Sequence, residues 1–112
     1  RLTRDQAARF LVVDYDRYLP VAPGIVLIKA AGHTPGSQMV ALQTAAGTGV
    51  VCADIAYTLK NIRDRHPVGW YYHLGDTVIA LDRALATAAR PDLAFPNHDT
   101  EILQGRRVTR LV

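Results

Sequence analysis

Short apolar runs separated by turn-forming residues fill the first half of the chain, and a helical repeat replaces them in the second. Thr3-Arg4-Asp5-Gln6 has the form of a capping box, predicting a short helix with Leu2, Ala7, Ala8 and Phe10 on one sticky face. Leu11-Val12-Val13 reads as a short strand. Asp14 to Gly24, with Pro20, Pro23 and Gly24, reads as turn and loop. Ile25 to Ile28 is a β-branched run bounded by Pro-Gly and Ala-Gly, which suits a buried strand. Met39 to Leu42 is the next strand, Ala45 to Gly49 a turn, and Val50 to Ala53 a further strand, so this part is expected to form an antiparallel meander. Beyond them Asp76 can cap a helix whose apolar positions Val78, Leu81, Leu85 and Ala88 recur at steps of three and four, with Pro91 as its stop. Asp92 to Pro96 is then a short strand that delivers Asn97-His98-Asp99 at its end. Strands, then a helix, then a last strand make an α+β pattern.

A length of 112 residues admits one domain or a piece of one, and 49% hydrophobic against 21% charged residues is the composition of a chain that folds. The net charge of +3 is scattered, its longest run being Arg106-Arg107 with Arg110 nearby, so no basic groove for nucleic acid is written here. The single Cys52 excludes an internal disulfide framework and a multi-cysteine zinc knuckle, and it permits a reducing compartment. No apolar run approaches the roughly 18 residues of a membrane span, and the start lacks the layout of a signal peptide. A cytoplasmic protein with no nucleic-acid or membrane partner is the expectation. The chain opens on Arg1 and not Met, which suggests a processed chain or a fragment.

The histidines carry the chemical information. His33 lies in Gly32-His33-Thr34-Pro35-Gly36, where glycines and a proline fix a tight loop after a strand; this is either a hydrogen-bonded turn or a rigidly presented imidazole. Asp54 follows Val50 to Ala53 directly, so a carboxylate emerges where a strand ends, either to meet a cation or to cap a helical turn through Thr58 to Ile62. Tyr57 is three residues on, its phenol within reach of the same site unless its ring is spent in the core. His98 repeats the strand-end placement, and Asp99 beside it could orient a ligand imidazole. Two imidazoles and a carboxylate at strand ends are the ligand types zinc prefers. His66 and His73 sit in the loop ahead of the helix, where surface or packing roles fit better. Trp70-Tyr71-Tyr72 could wall an apolar pocket or simply pack, and Cys52 reads as a small buried residue.

Ala31-Gly32-His33-Thr34-Pro35-Gly36-Ser37 resembles the Gly-His-Thr-Pro-Gly motif of the metallo-β-lactamase fold superfamily. Ala53-Asp54-Ile55-Ala56-Tyr57-Thr58 and Phe95-Pro96-Asn97-His98-Asp99 most resemble the N-acyl homoserine lactonases within it. The true β-lactamases with a zinc-binding cysteine are less similar, because Cys52 precedes Asp54 and does not replace it. The resemblance runs from about Leu11 to about Leu103. It implies that His33 binds one zinc, that Asp54 bridges two, that His98 binds the second, and that Tyr57 contacts the lactone. The superfamily's upstream His-x-His-x-Asp-His run is absent from these 112 residues. The implied fold is therefore half of a four-layer αββα sandwich, a mixed sheet with flanking helices, with residues 1–112 as the C-terminal portion of one domain.

By this resemblance the parent protein is a dinuclear zinc hydrolase that opens a lactone, most like an acyl homoserine lactone. Cobalt, iron or manganese suit the same ligands. Two alternatives stand beside it: a non-catalytic fragment or interaction module, and a metallo-hydrolase of a thioester, phosphodiester or other ester. The isolated chain is expected to self-associate or to pair with the missing half, through apolar side chains of Val26, Ile28, Val40 and Val51 or their strand neighbours on an uncovered inner face.

Overall fold

The Pro23-Gly24 pair closes a two-residue hairpin, with Gly24 at a φ of 75° that a side chain would resist. That turn folds β1 (Tyr18–Ala22) back antiparallel on β2 (Ile25–Lys29). The computed structural model describes residues 2–103, so Arg106, Arg107 and Arg110 lie outside the described residues. The first strand is thus Tyr18–Ala22, inside the stretch expected to be loop, and Leu11 to Val13 is not a strand. Leu11 and Val12 are 86% and 94% exposed. The hairpin seats β1 against β2, so that edge is taken, and Pro20 is tolerated because β1 is the outermost strand. The first helix, α1 (Arg4–Ala7), forms behind the expected capping box of Thr3 and Gln6, but it buries nothing and its sticky face is exposed.

The chain continues through β3 (Gln38–Thr44), β4 (Gly47–Val51), α2 (Leu59–Arg63), α3 (Leu74–Thr87) and β5 (Ala94–Phe95). Gly47 to Gly49 belong to β4 and not to the turn, because Thr44, Gln43 and Leu42 offer them ladder partners. The expected five-residue strand at Asp92 to Pro96 shrinks to two residues behind a 3-10 turn at Pro91–Leu93. The sheet order is β1-β2-β3-β4-β5, antiparallel from β1 to β4 and parallel between β4 and β5. Because β2 and β4 each run opposite to β3, and β5 runs with β4, the C-terminal ends of β2, β4 and β5 all open on one edge.

Helix α3 starts earlier than expected. His73 is its cap, with ring Nδ1 accepting from the Asp76 N–H at 3.2 Å, and Asp76 sits within the first turn. Its buried stripe is Thr77, Ala80, Leu81, Ala84 and Ala88, while Val78 is 39% exposed. The alanines win that face because the approach is close. A Cβ on Gly32 would meet the Thr77 backbone nitrogen at 2.5 Å.

The two faces of the sheet differ. Ile28, Met39, Ala41, Val50 and Ala94 share one face, and with Ile62 of α2 and the buried residues of α3 they form the core. On the other face the direct ladder partners Leu19, Leu27, Val40, Val51 and Phe95 line up in one apolar row across all five strands. None of that row belongs to the core cluster. Val40 and Val51 are on this face, Val40 partly buried and Val51 37% exposed. Val26 and Ile28 are not: Ile28 is fully buried on the helix face and Val26 packs beside it, the period-two alternation putting Leu27 outward instead. No helix among the described residues is long and apolar enough to cross a membrane.

Candidate functional site

Three loops leave the shared edge of the sheet, and each carries one of the candidate ligands. After β2 the chain turns through Gly32 to Ser37, where Thr34 and Ser37 bond each other through side chains (2.8 Å) and backbone, and Ala30 N–H closes the loop on the Ser37 carbonyl at 2.9 Å. Gly32 takes a φ of 141°, against α3. From this base His33 points its Nδ1 at the Trp70 carbonyl, 2.9 Å away. A carbonyl only accepts, so Nδ1 donates to it and Nε2 is the nitrogen turned toward Asp54. The same segment holds the loop from below, since Tyr72 N–H and His73 N–H donate to the Gly32 carbonyl at 2.8 and 3.0 Å.

Beyond β4, a 3-10 turn at Ala53–Ile55 brings Asp54 out between the other two loops. Ala53 has a φ of 47°, unusual for a residue with a side chain, and this strained turn aims the carboxylate. Asp54 is not a helix cap. Thr58 caps α2 through its own capping box with Asn61. After β5, Asn97 N–H and His98 N–H donate to the Ala56 and Tyr57 carbonyls at 3.0 and 2.9 Å, which straps the third loop to the second.

All four candidates, His33, Asp54, Tyr57 and His98, are thereby brought together. His98 Nε2 lies 3.0 Å from Asp54 Oδ1, and His33 Nε2 lies 4.0 Å from Asp54 Oδ2. The Tyr57 ring meets both imidazoles edge-on, at 4.8 Å from His98 and 6.0 Å from His33. It is half-buried and is not spent in the core. The Asp54 carboxyl is held below the usual carboxylate range, chiefly by the hydrogen bond from Asn97 and also by His98 and His33. Donor atoms on one tetrahedral zinc sit about 3.3 Å apart at Zn–N and Zn–O lengths of about 2.0 Å. The His98–Asp54 pair matches that spacing and the His33–Asp54 pair is wider. Donor types suited to a divalent ion flank Asp54, at that spacing on the His98 side alone, and among the described residues no three His, Cys, Asp or Glu are grouped so as to hold one.

Other candidates lie elsewhere. Asp99 does not orient an imidazole, because its carboxylate accepts from Leu59 N–H at 2.7 Å and Glu101 N–H at 2.8 Å, bonds that lower its pKa. Those donors are free backbone groups at the start of α2 and of the last 3-10 turn, which a neighbouring carboxylate satisfies better than an imidazole does. His66 is exposed in the loop after α2, and His73 is the α3 cap. Cys52 is fully buried and burial pushes its thiol up to about 12, so it stays a thiol. Trp70 and Tyr72 are 76% and 77% exposed and do not pack beneath the loop. Two contributors had no role in the sequence reading: Asn97, which donates to Asp54 Oδ1 at 3.1 Å, and the Trp70 carbonyl. Asn97 stands next to His98 in sequence, and that adjacency was its only signal. A carbonyl 37 residues from His33 leaves none.

No family model matches the sequence. Two curated relatives, N-acyl homoserine lactonases of Bacillus cereus and of a Bacillus sp, are each 30% identical over 90 residues, spanning 79% of this chain and 36% of theirs. The chain thus spans about a third of the length of the relatives it matches. An N-acyl homoserine lactone hydrolase with the product N-hexanoyl-L-homoserine bound at its catalytic metal center superposes with a TM-score of 0.69 at 24% identity, covering 84% of this chain and 38% of that one. A quorum-quenching N-acyl homoserine lactone hydrolase gives 0.68 at 23%, covering 85% and 39%. The resemblance to the lactonases holds over part of their length. The fold is α+β, a mixed five-stranded sheet with helices that corresponds to half of the metallo-β-lactamase-type sandwich.

Proposed function

We propose that this chain supplies one half of the active site of a metal-dependent hydrolase that opens a lactone ring, with an N-acyl homoserine lactone as its substrate. The observation that carries this reading is the meeting of His33, Asp54, Tyr57 and His98 at one sheet edge, in a chain similar to lactonases. We take residues 1–112 as the C-terminal portion of a single domain whose remaining half completes the ligand set and covers the Leu27–Val40–Val51 row. Two zinc ions are the proposed cofactors, other divalent ions being able to use the same donors. When bound, they supply a nucleophilic water near neutral pH and polarise the lactone carbonyl.

The residues of this chain have distinct tasks. His33, with its Nδ1 proton committed to the Trp70 carbonyl, offers Nε2 to one ion. Asp54 presents one oxygen to each side. His98 Nε2 donates to Asp54 Oδ1, and the same nitrogen would hold the second ion. Tyr57 stands between the imidazoles, where its phenol can donate to the substrate's carbonyl or ring oxygen as charge develops there. A non-catalytic module is the second reading. It is favoured by one observation, that the described residues do not close a metal site by themselves.

Metal content and lactone-opening rates of the full-length gene product test the choice. Asp54→Ala is expected to abolish dinuclear binding, whereas Tyr57→Phe should keep both metals and lower turnover about 100-fold. His66→Ala and His73→Ala should leave the stoichiometry unchanged, the latter costing about 1 kcal/mol of stability as a lost cap. An Asp54→Ala protein with two metals and full activity would refute the assignment.

A further inference from the structure

We propose that Asn97 is a positioning residue: its side-chain amide holds the Asp54 carboxylate in the rotamer that turns Oδ1 to His98 and Oδ2 to His33. A carboxylate only accepts, so the atom facing Oδ1 at 3.1 Å is the amide nitrogen with its hydrogens. The amide is well placed to hold, because its own backbone is fixed. Asn97 N–H is bonded to the Ala56 carbonyl and His98 N–H to the Tyr57 carbonyl, on both sides of the side chain that reaches Asp54.

Two donors share Oδ1, and they differ in permanence. His98 Nε2, 3.0 Å from Oδ1, is itself a donor atom for a cation, so were it to hold one its bond to Oδ1 would no longer orient the carboxylate. The Asn97 N–H is not lost in any ordinary pH range, and a neutral amide nitrogen does not compete for the ion. Asn97 would therefore remain the hold on Oδ1 in a loaded site. Oδ2 accepts no hydrogen bond among the described residues, and only His33 Nε2 faces it, at 4.0 Å. On a side chain that is 40% exposed, an unheld carboxylate would turn among its rotamers.

The metal part of this inference rests on the hydrolase reading, and the orienting part does not. The test uses the full-length gene product with wild type, Asn97→Leu, which keeps the volume without the donor, and Asn97→Ala. Asp54 χ1 is measured by NMR couplings in the metal-free protein. Cobalt(II) is then titrated and followed by its visible band and by calorimetry. Wild type is expected to show one Asp54 rotamer and Asn97→Leu several, with cobalt affinity down about 10- to 100-fold and the melting temperature nearly unchanged. A single rotamer together with unaltered cobalt affinity in Asn97→Leu would overturn the proposal. So would rotamer averaging in wild type, a result that needs no variant to fold. A wild type that fixes the rotamer and binds no cobalt would sink the hydrolase reading and leave the positioning role standing.

Discussion

Leu27 and Ile28 are neighbours in sequence, are alike in size, and have opposite fates. Ile28 is fully buried among Met39, Val50 and the α3 alanines, while Leu27 belongs to a partly buried apolar row whose most exposed member is Val51, at 37%. A strand that alternates apolar with polar has one wet face, whereas β2 is apolar on both. The lesson of the pair is that β2 offers apolar side chains to both faces of the sheet and that the core cluster takes up those of one face.

The contrast can be broken by mutation. Ile28→Ala should cost about 2–5 kcal/mol in the isolated chain, since it empties a closed core. Leu27→Ala should cost less, about 1–2 kcal/mol, because Leu27 is only partly buried and lies outside the core cluster. Denaturant melts of the two variants decide it, and equal losses would mean that the open face is already covered. A smaller effect is expected on association. The isolated chain should self-associate through the Leu27–Val40–Val51 row, and Val40→Lys with Val51→Lys should return it to a monomer in sedimentation runs with little change in melting. Mixing with a separately made upstream half should do the same for the unmutated chain.

The smallest effect concerns the edge that joins the faces. Asp54 and Asp99 have folded-state pKa values below the ordinary ones, the first chiefly through Asn97 and the second through Leu59 N–H. A lowered folded pKa contributes stability that is present above the unfolded value, about 3.9, and is lost as the pH falls through the folded one. Melting temperature should therefore decline below about pH 4, and Asp99→Asn should flatten part of that decline. An acid profile identical in the variant would remove Asp99 from the account.

Much of the site was legible from local signals. The glycines and proline around His33 specify a tight loop whatever the fold, and the apolar runs before Asp54 and His98 place both at strand ends. Those signals depend on a few adjacent residues, so tertiary context could not undo them. The misplacements are of a different kind. Leu11 to Val13 have strand chemistry but no partner, and Tyr18 to Ala22 gain one only because Pro23-Gly24 turns them onto β2. Asp99 looked free to orient an imidazole until α2 brought the Leu59 N–H to it across 40 positions. The α3 stripe shifted from Val78 to Thr77 and Ala80 because the Gly32 loop demanded a close approach, which helical periodicity cannot see.

By itself the sequence determined the α+β class, the turns, the caps at Thr3 and the chemical identity of the donors, since each follows from side-chain type and short-range spacing. Only the tertiary structure decided that these donors meet. Strand direction is a property of pairing: β3 reverses between β2 and β4, and β5 pairs parallel to β4. That arrangement sends His33, Asp54 and His98 out on the same edge, where backbone bonds from Asn97 and His98 to Ala56 and Tyr57 bring residues some 40 positions apart into contact. No local rule encodes that parity, because it is fixed by which long-range ladder forms, and the ladder is chosen by burial of one face against α3.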